Sequence, residues 1–159
     1  VGPAGSVLVS RGNATPAWEE QKVGFRVITP VIVIPNYSNT EIVTYNFPTF
    51  NDGSGFNKNT GVFTAPSSGL YSFNVKINLH NTTTPLYDFI GQIGIIKNSF
   101  LNLQYITRFS TDNNYFTTLE SNFLIRLDQN DAVKFSFFQV SGHAISLNIA
   151  ADMSGFKVY

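Results

Sequence analysis

The most regular pattern in the chain is an alternation of apolar and polar residues between positions 71 and 79. Tyr71, Phe73, Val75, Ile77 and Leu79 are apolar, and the four residues between them are polar. Successive side chains on a strand point to opposite faces of the sheet, so this segment predicts a strand with one apolar face and one solvated face. A single strand cannot be stable alone, and its apolar face therefore requires a second sheet above it.

Segments of strand composition recur along the rest of the chain and are separated by residues that favour turns. They read VGFRVIT, VIVIP, EIVTYNF, LYDFIGQIGIIK, FLNLQYITRF, YFTTLESNFLIRL, AVKFSFFQV, AISLNIAA and GFKVY. Groups such as NDGSG, HNTTTP, TDNN, DQND and MSG lie between them, and no segment has the three-to-four spacing of an amphipathic helix. About ten short strands with closely spaced turns predict an all-β sandwich or jelly roll.

Composition narrows the possible partners of this 159-residue chain. There are no cysteines, which removes disulfides and thiolate metal sites. Lys and Arg number 10 against 10 for Asp and Glu and form no cluster, so no nucleic-acid partner is expected. No apolar stretch approaches eighteen residues, and no membrane insertion is expected. Charged residues make up only 13% of the chain, which favours association between copies.

The first 22 residues differ from the rest and are predicted to be a lead-in, or the end of a stalk or linker, ahead of a domain at 23–159. Gly2 and Gly5 are three residues apart, as in a collagen-like Gly-X-Y stalk, but the period stops at Leu8. The stretch GSVLVSRGNATPAWE resembles a segment of bacterial and phage surface or fibre proteins that precedes a terminal head. Because the chain starts at Val1, we expect a processed product or a piece of a longer protein.

One set of spacings within residues 45–73 is specific. Six residues follow the pattern N-x4-F-x6-F-x5-G-x-Y-x-F, namely Asn51, Phe56, Phe63, Gly69, Tyr71 and Phe73. This pattern resembles the signature of C1q-like globular heads in the C1q/TNF jelly-roll superfamily, with Tyr45 in place of the Phe expected six residues before Asn51. The segment RLDQNDAVKFSF and the closing SGFKVY, with Phe156, are also similar to that family. Asn130 stands where the family has Gly, and Asn tolerates a positive φ there.

The resemblance implies a ten-stranded jelly-roll sandwich that assembles as a homotrimer and is not an enzyme. It assigns the aromatic signature residues, together with Phe156, to the core. We expect Gly69 to lie in a tight turn after Pro66, Ser67 and Ser68, where the absence of a Cβ permits either sign of φ.

Candidates for the trimer interface come from the aromatic residues that remain. Phe137 and Phe138 are adjacent and must face opposite sides of their strand, so one of them is expected in the core and the other at the interface. Phe25 and Tyr159 are the further interface candidates.

Specificity for a ligand is expected in the loops rather than in the sheets. The candidate loops are 36–41, 80–85, 110–115 and 139–144, and their candidate binding residues are Tyr37, Asn81, Asn113, Tyr115 and His143. Their polar and aromatic content suits a glycan or a polar protein surface, and it equally suits ordinary solvated loops.

Catalytic and metal chemistry find little support in the sequence. The two histidines, His80 and His143, have no metal-ligand partner at a suitable spacing, and G-x-S-x-G is absent. No cofactor is expected. Asp112, Asp128 and Asp131 offer oxygen atoms that calcium can use, but they lack the spacing of a dedicated calcium loop, and turn formation explains them better.

Three hypotheses for function follow. The first is an extracellular recognition or adhesion head, secreted or displayed on a cell or virion, that binds a glycan or protein through its loops. The second is a structural cap that trimerises a stalk or fibre and has no ligand of its own. The third is a glycan hydrolase, which would need a paired-carboxylate cleft, and the four glutamates form no suggestive motif.

Overall fold

Strands are the only regular elements in the part of the chain that the structure describes. The computed structural model describes residues 6–20, 23–35, 37–43, 45–46, 48–80, 89–109, 116–140 and 147–159. The strands are β1 (Ser6–Arg11), β2 (Ala14–Glu20), β3 (Gly24–Ile28), β4 (Ile32–Ile34), β5 (Ser38–Glu41), β6 (Phe50–Asp52), β7 (Phe56–Asn57), β8 (Val62–Thr64), β9 (Gly69–His80), β10 (Phe89–Lys97), β11 (Phe100–Phe109), β12 (Phe116–Leu127), β13 (Ala132–Val140) and β14 (Leu147–Lys157).

Two six-stranded antiparallel sheets form a sandwich. The first, called the β9 sheet, has the order β12-β9-β14-β3-β6, and β4 also pairs with β14. The second, called the β13 sheet, has the order β11-β10-β13-β8-β7, and β5 also pairs with β13. The all-β jelly-roll prediction is confirmed. The described strands exceed the expected ten because β4 to β8 are short pieces of two to four residues.

The alternating segment of the sequence is β9, the second strand of its sheet. Its five apolar side chains from Tyr71 to Leu79 are all buried, and the polar side chains between them lie on the other face. β9 pairs with β12 along its whole length and with β14 from Tyr71 to His80. The alternation thus defines which face of this sheet points into the sandwich.

Aromatic rings fill the middle of the sandwich and join its two sheets. Phe25 stacks on Phe56 and Phe63, with ring centroids 4.6 Å and 5.3 Å away. Phe73 meets Phe63 edge-on at 5.6 Å and Phe135 of the opposite sheet at 5.9 Å. Pairs of this geometry each contribute about 0.5–1.5 kcal/mol beyond the area that they bury.

Phe25 is therefore a core residue, and its assignment to the trimer interface is wrong. It is fully buried at the centre of the aromatic cluster. Phe137 is also fully buried, whereas Phe138, on the other face of β13, is half-buried. Phe137 is therefore the member of the pair that enters the core, as expected for one of the two, and Phe138 stays the candidate for the interface.

Gly155 lies where the sequence predicts a turn, but the strand continues through it. β14 runs unbroken to Lys157, and residues 153–155 pair on both sides, with β3 and with β9. A Cβ on Gly155 would lie 2.5 Å from Cδ1 of Phe73 and 2.8 Å from Cε1 of Phe25. The glycine is needed so that two rings can pack on the backbone, not to turn the chain.

The continuity of β14 through Gly155 also decides the position of Phe156, which was expected in the core. Because β14 is continuous, the inward positions Ile149, Ala151, Met153 and Gly155 place Phe156 on the outward face. Its side chain is 54% exposed, so its assignment to the core is wrong.

Asn51 closes the loop that joins β6 to β7. Its side-chain amide donates to the Phe56 carbonyl oxygen at 2.8 Å, and its Oδ1 accepts from the Phe56 amide at 3.1 Å. The side chain thus makes the two hydrogen bonds that a paired residue of a β-ladder makes with its backbone. The turn between Asn51 and Phe56 contains Gly53 and Ser54, both with positive φ. The signature asparagine thus replaces backbone pairing at a point where the chain reverses.

The segment predicted as a lead-in contains a hairpin. β1 and β2 pair antiparallel from Ser6↔Glu20 to Arg11↔Ala14 and form a two-stranded sheet of their own. The sandwich begins at Gly24 of β3, which pairs with Phe156 of β14.

Substituting Gly155 with Ala tests the close packing beneath the aromatic cluster. The new methyl group must displace Phe73 or Phe25, so we expect Gly155→Ala to lower the free energy of unfolding by about 1–3 kcal/mol. Chemical denaturation followed by circular dichroism measures the change. Ser154→Ala, on the opposite face of β14, is the matched control and should change the stability by less than about 0.5 kcal/mol. Equal stability of both variants would contradict the packing described.

Candidate functional site

The two ends of the sandwich differ in how their strands are joined. At one end, called the turn end, short connections at 65–68, 98–99 and 128–131 join β8 to β9, β10 to β11 and β12 to β13. At the other end, called the loop end, β9, β11 and β13 finish and β10, β12 and β14 begin. The register places these strand ends together, since His80 pairs with Phe116 and Asn148, Phe89 with Phe109, and Ile90 with Val140.

Asp131 ties two of the connections at the turn end together. Its Oδ1 accepts a hydrogen bond of 2.6 Å from the side-chain amide of Asn98. Its Oδ2 lies 2.8 Å from Lys97 Nζ and 2.8 Å from the backbone amide of Asp128. Asn98 in turn accepts at 2.8 Å from the amide of Ala132. The tip of the β10–β11 hairpin is thus fixed to the β12–β13 turn.

These contacts lower the pKa of Asp131 to about 2. The hydrogen bond from Lys97 is the largest cause, followed by those from Asn98 and from the Asp128 amide. All three contacts favour the charged carboxylate. The adjacent Asn130 has a φ of 71°, so the prediction that it takes a positive φ in this turn is confirmed.

The weak calcium candidates are not arranged as a calcium site in the part of the chain that the structure describes. Both oxygens of Asp131 already accept hydrogen bonds, and Asp128 contributes only its backbone to the contacts with Asp131. Asp112 lies outside the described residues. Among the described side chains, no group of three His, Asp or Glu residues is placed to hold a metal ion.

The β8–β9 connection is held to the same end by further hydrogen bonds. The backbone of Ala65 bonds in both directions with the β12–β13 turn, donating to the Asp131 carbonyl at 2.9 Å and accepting from the Asn130 amide at 2.8 Å. The Tyr71 hydroxyl donates to the Ser67 carbonyl oxygen at 2.7 Å. Three turns therefore form one hydrogen-bonded unit.

Gly69 is needed for close packing and not, as expected from the sequence, for a turn. Its φ is not among the positive values of the described glycines, so no turn conformation requires it. A Cβ there would instead collide with the main-chain oxygen of Tyr159, which accepts from the Leu70 amide. Gly69 allows the last residues of the chain to lie against the start of β9.

Tyr45, the other signature aromatic residue, packs on the edge of the core. It meets Phe56 edge-on at 5.0 Å, and its hydroxyl donates to the Ile42 carbonyl oxygen at 2.7 Å. Burial disfavours the charged phenolate and raises the pKa of Tyr45. This position of the signature is therefore structural.

At the loop end, Tyr37 is the one candidate binding residue within the described part of the chain. Its side chain is 71% exposed, its φ is 55°, and its amide donates to the Gln139 carbonyl at 3.0 Å. A positive φ is uncommon for a tyrosine and is kept only where neighbouring structure enforces it. The hydrogen bond to β13 thus holds an aromatic side chain outward.

The remaining loop candidates Asn81, Asn113, Tyr115 and His143 lie outside the described residues. Two of the predicted loops also need correction. Ser38–Glu41, within the first of them, is the strand β5, which pairs with β13 from Ser136↔Glu41 to Gln139↔Ser38. Gln139 and Val140, within the last, belong to β13, and the side chain of Gln139 is buried. These segments are strands because they extend the β13 sheet.

The outward face of the β9 sheet is polar over its middle. The Arg26 guanidinium binds both carboxylate oxygens of Asp152, at 3.1 Å and 2.6 Å. The Asn74 amide donates to Glu120 at 2.8 Å and to Asn122 at 2.9 Å. These cross-strand contacts hold the polar side chains to one another along the face.

Toward the turn end, the same face becomes apolar. Leu124 pairs with Ser72, which pairs with Phe156, which pairs with Gly24. Leu124 is 64% exposed, and Phe50, also exposed, has its ring edge beside Gly24. We call the set of Leu124, Phe156 and Phe50 the apolar patch. Tyr159, the interface candidate nearest to it in the chain, is exposed at the same end of the molecule.

Sequence reasoning missed Leu124 and Phe50 as surface residues. The signal for Leu124 is available in the alternation of β12, where Leu119, Phe123 and Leu127 are inward and Leu124 occupies an outward position. One such residue is ordinary, but several large apolar residues on the same outward face mark a surface that can contact a partner. In the described residues there is no helix that is long and apolar enough to cross a membrane.

Comparisons with known proteins agree with this architecture. The family model of the C1q domain matches residues 31–158. The globular domain of zebrafish complement 1qA is 17% identical, with a TM-score of 0.64, covering 87% of this chain and 98% of that one. The Eiger TNF of S. frugiperda is 7% identical, with a TM-score of 0.60, and the match covers 87% of this chain and 94% of that one. The PRD1 vertex protein P5 is 15% identical, with a TM-score of 0.59, and the match covers 87% of this chain and 99% of that one. No curated protein matches the chain.

Titrating the stability of the fold tests the role of Asp131. Its pKa is lowered on folding from an ordinary value near 4 to about 2, so its contribution is present above pH 4 and is lost as the pH falls toward 2. We expect Asp131→Asn to reduce the free energy of unfolding by about 2 kcal/mol at pH 7, and the gap to the original chain to close between pH 4 and 2.

Denaturation curves at a series of pH values measure this gap. Asp128→Asn keeps the backbone amide that binds Asp131, so it is the matched control and should leave the stability at pH 7 almost unchanged. A gap between Asp131→Asn and the original chain that stays constant from pH 7 to pH 2 would contradict the assignment.

Proposed function

Because this chain belongs to the C1q domain family, we propose that it forms a homotrimeric, non-catalytic head that recognises a ligand at its loop end. C1q and TNF-like domains form trimers and are generally not enzymes but recognition proteins or parts of capsids and fibres. Such domains are typically extracellular or associated with virions. We accordingly place this head outside a cell, either secreted or displayed on a cell or virion surface.

The apolar patch is the observation that carries the proposal of self-association. Leu124, Phe156 and Phe50 are contributed by three strands of one sheet, and Leu124 and Phe156 are more than half exposed. Phe156 and Phe50 both lie beside Gly24, and Leu124 lies two strands from Phe156 on the same face. A group of exposed, large apolar side chains on one face of a sheet supports a protein interface there. Covering the patch with another copy of the chain removes this surface from water.

A three-fold ring joins two different surfaces of each copy. The outward face of the β9 sheet supplies the first surface. Phe138 is half-buried on the outward face of the β13 sheet and remains a candidate for the second, since the two sheets face opposite sides of the sandwich. Tyr159 remains a candidate beside the apolar patch.

Recognition is proposed at the loop end because this end lies away from the patch and from the tied turns. Tyr37 presents an exposed aromatic ring there, and aromatic rings supply large contact area to sugars and to protein surfaces. A glycan or a protein is the proposed ligand. Three copies of a weak site on one rigid head bind with avidity if the ligand is also multivalent.

A structural cap for a stalk or fibre is the second candidate. The hairpin of β1 and β2 comes directly before β3 in the chain, and β3 begins at the turn end. A head that only closes a stalk needs this connection and the trimer, but it needs no ligand at the loop end.

Removing apolar side chains from the patch tests the trimer. We expect the original chain to have three times the mass of the 17.6 kDa subunit, about 53 kDa, at micromolar concentration. Leu124→Ser with Phe156→Ser should shift the mass toward the monomer, because each lost apolar contact costs about 1.5–3 kcal/mol when it is fully buried. Light scattering measures the mass, and circular dichroism shows that the fold persists.

Phe100→Ser is the matched control for those substitutions. Phe100 is an exposed phenylalanine at the start of β11, outside the patch. Its removal should leave the mass unchanged. A monomeric original chain, or a trimer that survives the double substitution, would contradict the proposed interface.

Substituting Tyr37 tests recognition separately. We expect a trimer of the original chain to bind on a defined oligosaccharide array or to cell-surface proteins, and Tyr37→Ala to weaken that binding by about tenfold or more, because it removes a central aromatic contact. Phe100→Ala at the turn end should bind like the original chain. A trimer that binds nothing in either assay would instead support the cap.

A further inference from the structure

The hairpin of β1 and β2 has two chemically different faces. Cross-strand partners share a face, so Leu8 and Trp18, which pair directly, lie on one side. The other side carries Val9, Ala17 and the ion pair between Arg11 and Glu19, whose closest atoms are 2.7 Å apart. The centre of the first face is therefore apolar and uncharged, whereas the second carries a charged pair that water solvates.

The Leu8 and Trp18 side chains are largely exposed on this single chain. Their exposed fractions are 57% for Leu8 and 48% for Trp18. A two-stranded hairpin alone in water is marginal at best and needs a further layer on its apolar face. The hairpin forms its own sheet and joins neither sheet of the sandwich.

We propose that the face formed by Leu8 and Trp18 packs against the same face of the hairpins of the other two copies, which makes the hairpin a second self-association element. This inference rests on the proposed trimer. Residues 21–23 separate β2 from β3, and three residues span at most about 14 Å between the flanking Cα atoms. Three heads joined through the patch beside Gly24 therefore hold their hairpins within a short tether of one another.

Charge and area both favour identical copies as the occupant. Copies that meet around an axis bring like charges together, and the Leu8–Trp18 pair carries no charge. Glu20, which the register puts on the same face, pairs with Ser6 at the end of the hairpin rather than at the centre of that face. The exposed parts of the two side chains amount to roughly 200 Å² for each hairpin, or about 600 Å² for three. That is less than the ~1,000 Å² expected of a stable independent interface, so the hairpins associate only because the heads hold them together.

Trp18 reports directly on this packing because it is the only tryptophan of the chain. In the trimer, we expect its fluorescence to be emitted at a shorter wavelength than that of exposed tryptophan and to be protected from quenching by acrylamide. On dilution, the emission should shift to that of exposed tryptophan with the same concentration midpoint as the loss of trimer mass.

Leu8→Thr removes the apolar neighbour while keeping the probe and the strand composition. We expect this change to expose Trp18 to acrylamide and to raise the dissociation constant of the trimer by about tenfold, equivalent to 1.4 kcal/mol. Val9→Thr, on the opposite face, is the matched control and should change neither readout.

The possible failures are distinguishable. A trimer whose Trp18 is as exposed as free tryptophan overturns the hairpin contact but leaves the proposed head intact. A monomer at every concentration overturns the trimer itself. Protection of Trp18 that persists in the diluted monomer shows that the hairpin docks on its own chain, which also overturns the inference.

Discussion

The packing of phenylalanine rings between the two sheets is the constraint on which the rest of the fold depends. Phe25, Phe56, Phe63, Phe73 and Phe135 come from five different strands of both sheets, and their rings meet at centroid distances of 4.6–6.4 Å. Because Gly155 has no side chain, the rings of Phe73 and Phe25 pack directly on the backbone of β14. Since interiors are packed as densely as crystals, this arrangement fixes the registers of β3, β9 and β14 relative to one another.

This packing also decides which apolar residues remain for partners. Phe25 and Phe137 are used inside the sandwich, so they are not available to another copy. Leu124 and Phe156 occupy outward positions on strands whose inward positions are already filled. Phe156 and Phe50 both lie beside Gly24, and Leu124 lies across Ser72 from Phe156. The turns at this end are tied together by Asp131, Lys97 and Asn98, which holds the end near the proposed interface rigid. The proposed recognition site lies at the opposite end, the loop end.

Much of the fold follows from the sequence, because alternation is a local property. The period of two from Tyr71 to Leu79 and the spacing from Asn51 to Phe73 indicate the strand, its inward face and the family resemblance. The position of Phe156 does not follow from the sequence, because Gly155 resembles a turn residue. Only a strand that continues through Gly155 places every second residue, and so Phe156, on the outward face. Asp131 is bound by Lys97 and Asn98, more than thirty residues earlier, and no local pattern reveals that contact. The apolar patch combines residues from three strands, so it is visible only once the register is known.

Side-chain footprinting of the assembled chain tests the central account, that copies associate through the apolar patch and leave the loop end open. Hydroxyl radicals label exposed side chains, and mass spectrometry compares concentrated with diluted protein. The account predicts that Leu124, Phe156 and Phe50 lose reactivity on assembly, whereas Tyr37 stays as reactive as in the dilute chain. Protection of Tyr37, with the patch unchanged, would contradict it.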